Sequence, residues 1–290
     1  MKKFVILIPI FNDWESLNQL LIEINDNIKN IKQARFDCLV IDDCSAIKNK
    51  KINIPSQINS IKIIHMGKNK GHARCNAFGI KYLSENADLD YLILMDGDGE
   101  DRPEEIKSLV AKIFSEPDKS VVAKRIKRSE GFFFQMLYRF HKYLTLFTTG
   151  KLINFGNFSC LTKLDIKKLS LKASLWSSYS GTFKKNIKNY NEVSSIRGIR
   201  YFGPSQMSLF KLLIHSFSII AVFKYRVFIL SMIILSLLYY LGFLVEFNFL
   251  FFQLLIILFN IFIFIVSFRE NEKELESSHL DIVNIENLTH

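Results

Sequence analysis

The chain has 290 residues, of which 49% are hydrophobic and 23% are charged, so it carries enough apolar material for a folded core and is not a disordered chain. Its net charge of +10 indicates an anionic partner, and basic residues gather in two stretches, 119–151 and 184–226, that lead to the most apolar part of the sequence. No zinc-finger spacing or RNA-binding signature accompanies this charge, so a membrane surface or a phosphorylated substrate is favoured over nucleic acid.

Short apolar runs alternate with helical periodicity in the first part of the chain. The apolar run at residues 4–8 predicts a strand, and the apolar spacing from Trp14 to Ile31 predicts a helix after it. This alternation indicates an α/β fold with a mostly parallel sheet and helices on both faces. Further strands are predicted at residues 36–41, 61–65, 91–95 and 121–122, and further helices at residues 71–86 and from Pro103.

Two acidic clusters fall at the carboxyl ends of predicted strands, where ligands bind in such sheets. One is Asp42-Asp43 and the other is residues 96–101 (DGDGED). Asp96 and Asp98 are two residues apart directly after a buried strand, and carboxylates so placed can share a hard cation such as Mg²⁺ or Mn²⁺ that also holds a diphosphate. A solvated acidic turn is one alternative. A calcium loop is another, although the closing Glu and the preceding helix of an EF-hand are missing.

Two long apolar segments predict a membrane hairpin. Residues 227–245 and 247–268 contain no charged side chain, and each is long enough to cross a hydrocarbon core of ~30 Å. Lys224 and Arg226 precede the first segment and Arg269 follows the second, so the positive-inside rule places both ends in the cytoplasm. A pair of buried core helices is the alternative.

Two further stretches, residues 132–147 and 208–225, mix aromatic and apolar residues with a few basic ones and predict helices lying in the headgroup region, with core helices as the alternative. The expected organisation is a cytosolic domain at 1–203, an interfacial helix at 204–226, two transmembrane helices at 227–268 and an acidic cytoplasmic tail at 269–290.

The order of motifs along the chain resembles a known enzyme family. Residues 9–13 (PIFND), 41–45 (IDDCS), 69–71 (NKG) and the acidic loop follow one another at the predicted strand ends. This set resembles the family 2 glycosyltransferases, whose nucleotide-sugar-binding fold is called GT-A. The resemblance assigns nucleotide-sugar binding to Pro9, Phe11, Asp13, Asp43 and Asp96, and a bound Mg²⁺ or Mn²⁺ to Asp96, Asp98 and Glu100.

The C-terminal hairpin narrows the resemblance to membrane-anchored polyprenyl-phosphate glycosyltransferases, which are similar to dolichyl-phosphate mannose synthase. Arg125 and Arg139 match the acceptor arginines of that group, and Ser205 lies in a segment that resembles its G-E-S-K loop. Several residues depart from the pattern, among them Asn157 for the commoner Asp and Gln206 for Lys. The resemblance therefore assigns the acceptor phosphate to Arg125, Arg139 and Ser205, and catalysis to Asp98, Arg125 and Arg139.

The activity implied by the resemblance is an inverting transfer of a sugar from a UDP- or GDP-sugar to polyprenyl (undecaprenyl) phosphate at the cytoplasmic face of a bacterial inner membrane. A glycosyltransferase that extends a lipid-linked glycan is an alternative, for which Asn157 and Gln206 leave room. A catalytically inactive membrane scaffold with the GT-A fold is another. The sugar, the nucleotide and homo-oligomerisation stay open at this point.

Overall fold

The computed structural model describes residues 1–47, 52, 54–127, 132–203 and 208–290. The described chain forms one sheet whose strands lie in the order β7-β5-β6-β4-β1-β2-β3-β8. The strands are β1 (Lys2–Ile10), β2 (Ala34–Asp42), β3 (Ile58–Met66), β4 (Tyr91–Leu94), β5 (Val121–Lys127), β6 (Phe155–Thr162), β7 (Asn191–Ile196) and β8 (Ile282–Thr289). The five strands that the apolar runs predict are β1 to β5, and all five are present.

The centre of the sheet is parallel. Strand β1 pairs in parallel with β2 and β4, β2 pairs in parallel with β3, and β5 pairs in parallel with β7. Strand β6 is antiparallel to β4 and β5, and β8 is antiparallel to β3. Because β1 and β2 are covered on both faces, their sequences are nearly continuous apolar runs. The predicted mostly parallel α/β sheet is confirmed.

Helices cover both faces of the sheet, as the alternation predicts. The covering helices are α1 (Trp14–Ile28), α2 (His72–Asn86), α3 (Ile106–Ser115), α5 (Lys163–Ser170) and α6 (Tyr179–Asn186). Ile6 and Ile8 of β1 point into the core under α1 and α3, whereas Val5 and Leu7 point into the core under α2, α5 and α6.

Four further helices carry the aromatic and apolar segments: α4 (Phe132–Thr149), α7 (Leu209–Ala221), α8 (Lys224–Val245) and α9 (Leu250–Ser267). Helices α8 and α9 are long and apolar enough to cross a membrane. Few of their side chains are buried inside the protein, which fits lipid contact and not a soluble core. Helix α7 packs on α9, with Phe217 in edge contact with Phe259 and Phe262.

The acidic tail returns to the sheet. After α9 the chain forms the short helix α10 (Glu272–Glu276) and then β8, so both ends of the apolar hairpin lie beside the N-terminal domain. Side-chain contacts also join this segment to the rest of the chain. Trp176 Nε1 donates to Glu274 Oε2 at 2.9 Å, and Lys224 Nζ lies 2.8 Å from Glu270 Oε2. The tail is therefore a structural part of the sheet.

Two substitutions on β8 test whether the strand is bound to the sheet in solution. Leu288 is partly buried and packs on the core, whereas Val283 is 73% exposed. Leu288→Ser is expected to destabilise the full-length protein by about 1 kcal/mol, because it exposes part of a leucine's apolar contact. Val283→Ser is expected to change stability by less than about 0.5 kcal/mol. Thermal unfolding in detergent measures both, and equal effects would contradict the strand's packing.

Candidate active site

Three loops meet at the carboxyl edge of the parallel strands. They follow β1, β2 and β4, and backbone hydrogen bonds join them: Asp43 N donates to Ile10 O at 2.9 Å, and Met95 N donates to Leu7 O at 3.1 Å. A Cβ on Gly97 would lie 3.0 Å from Pro9 O, so the glycine allows the acidic loop to approach the loop after β1. The topology thus brings Pro9, Phe11, Asp13, Asp43 and the acidic loop to one place.

Asp43 organises the segment at residues 69–71. Its Oδ1 accepts from Lys70 N and its Oδ2 from Gly71 N, both at 2.8 Å. Burial raises the pKa of Asp43, and these two hydrogen bonds act in the opposite direction. Phe11, on the neighbouring loop at the same edge, is 40% exposed.

Asp96 lies in a neutralising environment. Its Oδ1 is 3.1 Å from His72 Nε2 and accepts from Asn157 Nδ2 at 3.1 Å. Burial alone would raise the pKa of Asp96, but the charge of His72 and then that of Arg125 hold it well below its usual range. An Asp in place of Asn157 would put a second carboxylate against Asp96, whereas the amide donates a hydrogen bond. This contact gives the Asn157 departure a physical reason.

Two arginines that the motif analysis missed hold the next carboxylates. Arg200 Nη1 lies 2.8 Å from Asp98 Oδ2, and its Nη2 pairs with Asp13. Arg197 pairs in the same way with Glu100. No sequence motif marks these arginines, and the net positive charge of the region was the only signal.

The backbone of the segment that carries the two arginines also pairs with the acidic loop. Gly198 N donates to Glu100 O at 2.8 Å, and Tyr201 N donates to Asp98 O at 3.0 Å. The ring of Tyr201 lies against Gly99, whose φ of +88° and lack of a side chain permit the contact. The segment 197–201 therefore covers the acidic loop.

The carboxylates repel one another despite these partners. Burial, followed by the charges of Asp96 and Glu100, raises the pKa of Asp98 to about 6. Burial and the charge of Asp96 raise the pKa of Asp101 to about 7. Such shifts mark a site where added positive charge is favourable.

Two features of the acidic loop favour a divalent cation: the mutual repulsion of its carboxylates and the oxygen atoms that they offer as metal ligands. Within the described ranges, no three His, Cys, Asp or Glu side chains are grouped so as to hold a metal, because Asp96, Asp98 and Glu100 each turn toward a separate partner. The donors are the hard carboxylate oxygens that Mg²⁺ and Mn²⁺ prefer. Asp96 and Asp98 would hold such an ion once Arg200 releases Asp98, and Glu100 would join them only without Arg197.

Of the two predicted acceptor residues that the structure describes, Arg125 lies at this site. Arg125 Nη2 is 3.5 Å from Asp101 Oδ1, and the guanidinium lies over Gly156. Arg139 is exposed on α4, and in the described chain no hydrogen bond or ion pair joins it to another residue. Ser205 and Gln206 lie outside the described residues.

Helix α7 lies close to the acidic edge. The pKa of His215 on α7 falls to about 4, mainly through burial and then through the charges of His72 and His141. His141 of α4 is bonded through Nε2 to Ser216 O of α7 at 3.0 Å. Helices α4 and α7 therefore contact each other, and the charges of His72 and Asp96 act on His215 of α7.

A match to a known protein family establishes the family of this chain. Residues 5–194, about two thirds of the chain, match Glycosyl transferase family 2. The chain belongs to this family. The predicted family is therefore confirmed.

Two similar proteins are undecaprenyl-phosphate 4-deoxy-4-formamido-L-arabinose transferases. The one from Serratia proteamaculans is 25% identical over 219 residues, which are 73% of this chain and 65% of the relative. The one from Salmonella choleraesuis is 28% identical over 164 residues, which are 56% of this chain and 48% of the relative. The chain thus spans less than two thirds of the length of these relatives.

Among solved structures, the fold is similar to that of glucosyl-3-phosphoglycerate synthase from Mycobacterium tuberculosis. That enzyme was crystallised with Mn²⁺, UDP-glucose and phosphoglyceric acid. The TM-score is 0.53 at 15% identity, and the match covers 78% of this chain and 80% of the other. The likeness confirms the predicted GT-A fold.

The ion pairs of Arg200 lead to a prediction about metal affinity. Arg200→Ala is expected to tighten Mn²⁺ binding about tenfold, because it removes a positive charge that competes for Asp98. Arg35→Ala is the control, since Arg35 pairs with Asp37 at the opposite edge of the sheet. Isothermal titration of the full-length protein with Mn²⁺ in detergent measures the affinities. Unchanged or weaker binding by Arg200→Ala would contradict this description of the site.

Proposed function

We propose that this glycosyltransferase moves a sugar from a nucleoside diphosphate sugar to polyprenyl phosphate at the cytoplasmic face of a bacterial inner membrane. The observation that carries the proposal is an acidic loop paired with Arg125 whose Asp96 acts by its charge on His215 of α7, in a chain with an apolar hairpin. The names of the two curated relatives support a polyprenyl-phosphate acceptor. Both termini and the sheet domain lie on the cytoplasmic side in this proposal, as the basic residues flanking the hairpin favour.

The donor occupies the edge formed by the loops after β1, β2 and β4. Phe11 offers its exposed ring to the base, and Pro9, Asp13 and Asp43 shape the nucleoside pocket. Asp96 and Asp98 would hold a divalent cation, Mg²⁺ or Mn²⁺, that neutralises the diphosphate. When bound, this cation supplies positive charge that stabilises the departing diphosphate.

The acceptor phosphate approaches from the side of α4 and α7. It is already an anion at neutral pH, so its attack needs no general base. The guanidinium of Arg125 orients the phosphate through paired N–H donors, and Arg139 and Ser205 are proposed to assist. A phosphate oxygen forms the new bond to the anomeric carbon while the bond to the nucleoside diphosphate breaks on the opposite face, which inverts the configuration.

A lipid-extraction assay tests this proposal. Full-length protein in detergent is incubated with Mn²⁺, undecaprenyl phosphate and a panel of radiolabelled UDP- and GDP-sugars. We expect label from one donor to enter the organic phase, and Asp98→Ala to reduce this transfer at least about a hundredfold, because the metal loses a carboxylate ligand. Asp88→Ala, an exposed carboxylate paired with Lys3, is the matched control and should retain activity.

Three outcomes would contradict the proposal in different ways. Metal-dependent hydrolysis of one donor without transfer would keep the enzyme and favour a lipid-linked glycan or another envelope acceptor. Equal transfer by wild type and Asp98→Ala would remove the acidic loop from the mechanism. Neither transfer nor hydrolysis with any donor would favour an inactive scaffold.

A further inference from the structure

The C-terminal strand β8 is linked by side-chain contacts to the carboxyl end of β2, which borders the proposed donor site. His65 on β3 lies directly opposite Asp42 on β2, and Glu286 on β8 is its diagonal neighbour across the next strand pair. His65 Nδ1 is 2.8 Å from Asp42 Oδ2, and His65 Nε2 is 3.1 Å from Glu286 Oε1. One imidazole therefore joins the tail strand to the carboxyl end of β2.

The contacts continue from Asp42 into the loop after β1. Asp42 Oδ1 accepts from Ser45 N at 3.0 Å, and Ser45 Oγ accepts from Asn12 N at 2.7 Å. Asn12 lies between Phe11 and Asp13, the two residues proposed for the nucleoside pocket. A continuous series of polar contacts thus connects Glu286 to the loop after β1.

The loops at the end of this series are backbone-strained. Asn12 has φ of 54° and Cys44 has φ of 62°, a region that residues other than glycine seldom occupy. Such conformations persist only where surrounding contacts impose them. The bonds from Asp42 to Ser45 and from Ser45 to Asn12 supply such contacts.

A second set of contacts joins the tail to the loop after β3 and, through Lys70, to Asp43 on the loop after β2. Asp281, just before β8, accepts from Gly67 N through its backbone oxygen at 2.7 Å, and its Oδ2 lies 3.2 Å from Lys70 Nζ. Lys70 N in turn donates to Asp43 Oδ1. The loops after β1 and β2 are thus both connected to the segment that follows the membrane hairpin.

We propose that the C-terminal strand positions the donor-binding loops, with Glu286 as a positioning residue that acts through His65 and Asp42. This inference rests on the donor site proposed above. Glu286 itself touches no part of that site. A defect at Glu286 therefore weakens nucleotide binding through the shape of the loops and leaves the bond-forming groups in place.

Three variants of the full-length protein test the inference by calorimetric titration with UDP, and separately GDP, in the presence of Mn²⁺. Glu286→Ala is expected to weaken nucleotide binding about three- to tenfold, the usual effect of losing one hydrogen bond to a charged group. Glu286→Gln keeps an acceptor oxygen for His65 and is expected to restore affinity to within about twofold of wild type. Asn287→Ala, the next and exposed position on β8, is the matched control.

Hydrogen exchange of residues 10–14 and 43–47 gives a readout that needs no ligand. Faster exchange there in Glu286→Ala, with a thermal midpoint equal to that of Asn287→Ala, supports positioning and excludes a general loss of stability. If wild type binds neither nucleotide, the proposed donor site fails, and the exchange data still decide whether the tail holds these loops. Equal exchange and equal affinity in Glu286→Ala and Asn287→Ala would overturn the inference.

Discussion

Four carboxylates lie within the six residues of the acidic loop, and their mutual repulsion must be balanced for the edge of the sheet to keep its shape. His72 and Asn157 balance Asp96, and Arg200 balances Asp98. The elevated pKa of Asp98 indicates that the balance is incomplete. The acidic loop is therefore a negatively charged site that favours a divalent cation. In this structure Arg197 and Arg200 pair with two of its carboxylates.

The sheet topology and the packing of the helices together form this site. A parallel sheet brings the loops after β1, β2 and β4 to one edge, and α7 brings an apolar helix beside them. In the sequence, the apolar hairpin separates β8 from the other seven strands. In the structure, β8 pairs with β3 and completes the same sheet. In the proposed function, the donor site and the acceptor route along the membrane therefore meet at this edge.

Much of the fold could be predicted because it depends on local pattern. Buried parallel strands read as apolar runs, and the acidic loop directly follows one of them. The missed parts depend on distant contacts. Strand β8 alternates weakly and pairs with β3 across the whole chain, with Glu286 221 residues from His65. Arg197 and Arg200 belong to no motif, and the ion pairs that they form arise from tertiary packing alone. A role for Asn157, in place of the commoner Asp, emerges only from its hydrogen bond to Asp96, which the sequence does not show.

A structure of the full-length protein in a lipid nanodisc with Mn²⁺ and UDP, and separately GDP, tests the central claim most directly. We expect one of the two nucleotides at the carboxyl edge, with its base near Phe11, the cation on Asp96 and Asp98, and Arg200 withdrawn from Asp98. A nucleotide bound elsewhere, or one bound at this edge while Arg200 keeps its contact with Asp98 and no cation joins the carboxylates, would contradict it.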